Sequence, residues 1–209
     1  LGLVGSEMCI RDRLSLVTIL MAGVQYFFSL TIESTPIYLL ITTVIEIIII
    51  FLGFIQLFEK SENIKLKTAK RYLIVGCLTA YSTFLSFYNV YFFMAEENHI
   101  KLTNFWVVGF LFFIVCASAH ICSLLLMSST PVWLKGDKSI WILTLKIIAS
   151  TIYIQKIVEY ILIPDVAESH FLIIFNMMMM FVSNLLVTQY FLLFGRIYTG
   201  LVKNNYKGE

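Results

Sequence analysis

Six continuous apolar stretches, each long enough to bridge a lipid bilayer as a helix, restrict the fold of this chain more than any other feature. A hydrocarbon core about 30 Å thick is crossed by ~20 apolar residues at the rise of an α-helix. The stretches are Leu14 to Ile32, Pro36 to Phe58, Tyr72 to Met94, Phe105 to Met127, Ser139 to Ile163, and Phe171 to Phe194. Turn and charge signals separate them: Glu33 to Pro36, Glu59 to Arg71, Ala95 to Asn104, Ser128 to Lys138, and Pro164 to His170. The runs are continuous and do not alternate, which argues against a strand barrel. The run Ile47 to Ile50 would favour a strand in water. In lipid the backbone must satisfy its own hydrogen bonds, so length decides for helix. The expected fold is all-α, a polytopic transmembrane bundle of about six spans over residues 14–199, with a short tail at 200–209.

Composition agrees. The chain is 59% hydrophobic and 13% charged, where soluble domains sit near one half and about one quarter. Six spans in 209 residues leave only short loops. A formal charge of +2 gives no footprint for nucleic acid. The expected partners are the bilayer itself and, as an option, a second copy of the chain. No cofactor is implied.

Positive residues set the expected orientation. The loops after the second and fourth spans, with the C-terminal end, hold Lys60, Lys65, Lys67, Lys70, Arg71, Lys135, Lys138, Arg196, Lys203 and Lys207. The alternate loops hold Lys101 alone, against Glu33, Glu96, Glu97, Asp165 and Glu168. Ten against one places both ends in the cytoplasm. Trp106, Trp133, Tyr72 and Tyr198 fall near span ends, where amphipathic rings favour the headgroup level. Trp141 lies just inside the fifth span. Residues 1–13, LGLVGSEMCIRDR, fit no later pattern and read as a translated sequencing adapter, so they stand outside fold reasoning. On that reading a preceding helix is an open expectation.

Ionisable side chains inside the spans are the candidate functional groups, since each costs roughly 2.5–3.5 kcal/mol to insert at the centre of the membrane. Glu46 lies ten residues beyond Pro36, roughly 15 Å deep by helix rise. Thr42, Thr43 and Gly53 share its face, so that face should turn into the bundle. Glu46 is either a coupling carboxylate or a hydrogen-bonded structural one. Lys156 and Glu159 sit three apart on one helix and can neutralise each other. Alternatively Lys156 meets Glu46, whose depth differs by only about 4–5 Å. Lys146 is close enough to its end to snorkel. His120, among Cys116, Ala117 and Ser123, reads first as a packed histidine and second as a relay or ligand.

Metal and catalytic motifs are missing from the pattern. Cys77, Cys116 and Cys122 lie in apolar runs, and Cys116 and Cys122 are six apart, on different faces. His99 and His170 fall in outward loops, so no second histidine stands at the depth of His120. Clustered histidines of membrane desaturases, the histidine box of elongases and the last-helix lysine of microbial rhodopsins are all absent. Ser183 lacks a Gly-x-Ser-x-Gly context. Met177 to Met180 reads as adaptable packing.

From Glu62 onward the layout resembles the damage-regulated autophagy modulator family of six-helix membrane proteins. The similar features are Glu62-Asn63 with Lys65-Leu66-Lys67 before the third span, His99 before the fourth, and a last span opened by His170 and closed by Arg196. The resemblance implies a non-enzymatic protein of lysosomal, Golgi or plasma membranes. The chain departs from the family in its short first outward loop and in having no acidic residue in the last span. The functional expectation is a non-enzymatic membrane protein, small and transporter-like or regulatory, with Glu46 as its coupling or binding residue. The alternatives are an intramembrane lipid-modifying enzyme built on His120 with Glu46 or Ser183, and a seven-helix receptor or opsin-like protein lacking its first helix.

Overall fold

The computed structural model describes residues 23, 24, 27, 35–57, 66–128, 138–165 and 170–206. Most of the first expected span, the adapter-like residues 1–13, Cys9 and Trp133 lie outside that set. Five long helices follow in order: α1 (Ile37–Leu57), α2 (Leu66–Glu97), α3 (Thr103–Ser128), α4 (Lys138–Leu162) and α5 (His170–Tyr206). Among the described residues there is no strand. Helices α2 to α5 are each long and apolar enough to cross a membrane, and α1 carries a shorter apolar stretch, Ile37–Gly53.

Each helix matches an expected span, with two extensions. The carbonyl of Pro36 accepts the N–H of Leu39 at 3.1 Å and opens α1, and the isoleucine run inside it is helical. Helix α2 starts at Leu66, six residues before the apolar run. Lys67, Lys70 and Arg71, expected in a loop, therefore form its first turns. Ala, Lys and Arg are strong helix formers, and a span can continue into water on their propensity. Helix α5 likewise runs on past Phe194 to Tyr206. Between α2 and α3 the chain reverses tightly. His99 adopts φ 60°, Ile100 N–H donates to Ala95 O at 2.9 Å and His99 N–H to Glu96 O at 2.9 Å. This is a Schellman cap with histidine in the left-handed position that glycine usually takes.

Helix α2 is the axis of the bundle. Residues 79–93 are buried on every side, as a helix enclosed by protein must be. It packs most broadly on α5 and also against α1, while α3 and α4 form a second close pair that touches α5. Large side chains join the two halves: Phe84 stacks on Phe113 with ring centroids 4.9 Å apart. The outer faces carry Val44, Ile48 and Phe51 on α1, Leu111 and Val115 on α3, Ile154 and Ile161 on α4, and Phe181 and Leu185 on α5, all exposed. Apolar exposure on this scale suits lipid as the solvent.

Candidate functional site: a buried polar network across four helices

Glu46 is fully buried. Its helix brings Thr42 and Thr43 to the same face, also buried, as spacings of three and four dictate. The Thr42 hydroxyl turns back onto its own helix, 3.0 Å from the carbonyls of Tyr38 and Leu39, and Thr43 donates to Leu39 O at 2.8 Å. That habit of threonine leaves the Thr42 oxygen free to accept. Asn89 of α2 uses both amide protons here, donating to Thr42 Oγ1 at 3.0 Å and to Glu46 Oε1 at 2.8 Å. Its Oδ1 accepts the Trp106 indole N–H at 3.0 Å. Indole only donates, so the orientation of this amide is fixed.

Ser86 also meets the Glu46 carboxyl group. Its hydroxyl is 2.7 Å from Glu46 Oε2 and 3.0 Å from the carbonyl of Ser82. With Glu46 ionised, Ser86 donates to the carboxylate. With Glu46 protonated, Oε2–H donates to Ser86, and Ser86 donates to Ser82 O. Neither state strands the serine, and Asn89 donates to Oε1 in both.

A second ionic group lies on α4. Lys156 Nζ is 2.6 Å from Glu159 Oε2, and both side chains are almost completely buried. Gln155 Nε2 donates to Glu159 Oε1. The ammonium also sits over the Tyr88 ring, 3.7 Å from its centroid, where the π face replaces part of its lost hydration. The Tyr88 hydroxyl is 3.3 Å from Glu159 Oε1 and 3.2 Å from the carbonyls of Phe105 and Trp106. The close approach depends on Gly109. A Cβ at that position would overlap the Tyr88 hydroxyl and the Glu159 carboxylate.

The carboxylate partner of Lys156 is thus Glu159 and not Glu46. Equal depth does not bring two helices face to face, whereas the i,i+3 spacing puts Glu159 within reach automatically. Glu46 and the Lys156–Glu159 pair are nevertheless parts of one network. Tyr88 and Asn89 are neighbours on α2, and Trp106 meets both, its indole N–H bonded to Asn89 and its carbonyl beside the Tyr88 hydroxyl. Trp106 is accordingly buried at 6% exposure, its ring taken up by the protein interior near the start of α3. Ser86, Tyr88, Asn89 and Gln155 were not singled out by the sequence reading, and Trp106 was read only as a residue near a span end. The row Thr79, Ser82, Thr83, Ser86 and Asn89, at three- and four-residue steps, is the signal that marks this face of α2.

His120 belongs elsewhere. Its Nε2 is 3.2 Å from Asn184 O and 3.3 Å from Thr188 Oγ1 on α5. Ser183 donates to Ala80 O at 2.7 Å. His120, Ser183 and Glu46, which an intramembrane hydrolase would have to assemble, have three separate sets of partners. Cys116 is buried and lies 3.3 Å from Ile148 O, while Cys122 is exposed. Among the described residues no three His, Cys, Asp or Glu side chains gather as a metal site would require. The methionine run wraps its helix, with Met180 in the core and Met178 exposed.

No curated protein and no solved structure matches the chain. Residues 9–207 match the family described as Domain of unknown function (DUF5079), and the chain belongs to that family.

Proposed function

We propose that this chain is a six-span, non-enzymatic membrane protein with cytoplasmic ends, transporter-like in kind, in which Glu46 binds and releases a proton. The observation that carries this reading is the Glu46 shell. A fully buried carboxyl group meets Ser86, whose hydroxyl can donate either to it or to Ser82 O. Because Ser86 can donate or accept, the shell accommodates Glu46 with or without its proton. Intramembrane carboxylates commonly mark proton or ion pathways. The network through Asn89, Trp106 and Tyr88 connects this group to the Lys156–Glu159 pair, so a change of charge at Glu46 is felt on α4.

Glu46→Gln isolates the charge. Glutamine fits the same shell as the protonated acid, accepting from Asn89 and donating to Ser86, so folding should be retained. In proteoliposomes holding a pH-sensitive dye, a potassium diffusion potential should drive proton entry through the wild-type protein. The variant should lower that flux roughly tenfold or more, as expected when a relay carboxyl is removed. Equal flux through both proteins, or none through either, would overturn the reading.

The six-span arrangement rests on the alternation of positive loops. Single cysteines at Asn98→Cys and Glu168→Cys should react with an impermeant maleimide from one face of sealed, oriented vesicles. Those at Ser61→Cys and Gly136→Cys should react only after the vesicles are opened. Labelling of all four from one face would refute the topology.

A further inference from the structure

Glu46 has two carboxyl oxygens, and the seam between α1 and α2 treats them differently. Hydrogen bonds fix the register of that seam: Tyr38 meets Glu96 at 3.5 Å, Thr42 meets Asn89 at 3.0 Å, and Glu46 meets Ser86 at 2.7 Å. Continued in both directions, the same register sets Leu39 level with Phe93, Ile50 with Ser82, and Gly53 with Thr79. Toward Glu96 the seam is therefore shut by Leu39 and Phe93, both large and fully buried. Toward the end of α2 that carries Lys67, Lys70 and Arg71, it offers two hydroxyls and one position without a side chain.

The chemistry divides the same way. Oε1 accepts from the Asn89 amide, and an amide N–H donates without handing its proton on. Oε2 meets the Ser86 hydroxyl, which can take one proton as it gives up another. Beyond Ser86 on the same face stand Ser82 and Thr79, at steps of four and three residues. Thr79, Thr83 and Ser86 each donate back to a carbonyl of their own helix. Ser82 does not. It is 3% exposed, and its Oγ has no hydrogen-bond partner. A hydroxyl turned off its own helix and left unmet inside a protein is costly. Ser86, Ser82 and Thr79 are spaced roughly 6 and 4.5 Å along the axis, gaps that single waters bridge.

We infer that Glu46 exchanges its proton with one side of the membrane only, through a hydrated file of hydroxyls, Ser86, Ser82 and Thr79, that leads toward the charged end of α2. The inference rests on the reading of Glu46 as a proton-binding group and adds the side from which it is served. In the outgoing step Glu46 Oε2–H gives its proton to Ser86 Oγ, while Ser86 passes its own to a water held by Ser82 Oγ. Ser86 ends with one proton and Glu46 with a negative charge, and the excess proton moves on past Thr79 to bulk solvent. Leu39 and Phe93 hold the other side closed, so passage across the membrane requires them to part.

Water access is read with silver ion, a water-sized reagent for thiols, on the full chain in oriented vesicles. The background has Cys9, Cys77, Cys116 and Cys122 replaced by alanine. Silver on the Lys67 side should reach Ser82→Cys and Thr79→Cys about tenfold or more faster than silver on the Glu96 side reaches Leu39→Cys and Thr42→Cys, since packed thiols react only when their packing opens. Proton flux is read on the native background. Ser82→Ala removes a hydroxyl and little volume, and should lower flux about five- to tenfold, the worth of one hydrogen bond. In E46Q the same change should have no further effect. Equal silver rates at all four positions, or faster reaction at Leu39→Cys and Thr42→Cys, would overturn the inference. So would undiminished flux through Ser82→Ala beside an inactive E46Q, an outcome that leaves the reading of Glu46 standing. No flux through any of the proteins removes that reading and this exchange with it, whatever silver reports.

Discussion

Glu159→Leu is expected to destabilise the bundle by about 3–5 kcal/mol, the usual cost of removing one partner from a buried ion pair. The reason is what remains. Lys156 is 1% exposed, with its ammonium against the Phe84 and Tyr88 rings of α2, so it cannot reach water without opening the bundle. The Tyr88 ring beneath it supplies only part of the lost attraction. Gln155 Nε2 would lose its acceptor in the same step. Unfolding in mixed micelles, followed by loss of helical circular dichroism, reads the effect. The double variant Lys156→Met with Glu159→Leu should recover most of it, because an apolar pair of similar volume carries no desolvation cost. A single variant as stable as the wild type would show that the pair contributes nothing. A double variant as unstable as the single would locate the damage in packing and not in charge.

Asn89→Leu should be the next most damaging change, at about 2–4 kcal/mol. Asn89 makes three hydrogen bonds that tie α2 to α1 and α3. Interhelical hydrogen bonds in membranes are worth roughly 0.6–1.7 kcal/mol each, and a buried donor left unmet adds about 1–3 kcal/mol. Leucine orphans the Trp106 indole N–H and withdraws a donor from Glu46. Trp106→Phe removes the orphan, so the pair of substitutions should cost less than their sum, by about 1 kcal/mol in a double-mutant cycle. Strict additivity would mean that the indole does not depend on Asn89.

The class of fold was legible because lipid sets a length scale that leaves a direct mark on sequence. Pro36 and the polar breaks fixed helix starts to within a residue or two, except where Lys67, Lys70 and Arg71 let α2 begin in the charged segment. Glu46, Lys156 and Glu159 were legible for a related reason, since charge inside an apolar run is conspicuous. Their partners were not. Depth along a helix can be counted from sequence, but rotation about its axis relative to a neighbour cannot. Hence Lys156 could be set level with Glu46 yet not facing it. Tyr88 was hidden by abundance in a chain that is 15% aromatic, and Trp106 was read only for its place near a span end. Their roles lie in an O–H and an N–H, and hydropathy averages take no account of either. Gly109 matters only through what α2 and α4 place beside it.

Enclosure of α2 has a consequence for how the protein is made. This helix carries Thr79, Ser82, Thr83, Ser86 and Asn89 along its buried length, and 83% of its most apolar window is covered by other parts of the chain. Its broadest cover is α5, the last of the five described helices to be synthesised. A ribosome therefore releases the centre of the molecule well before the piece that shields it. Until then the side of α2 that faces α5, with the Ala80 carbonyl that accepts the Ser183 hydroxyl, depends on temporary company, whether the insertion machinery or a chaperone, and a nascent chain interrupted before His170 leaves that side uncovered.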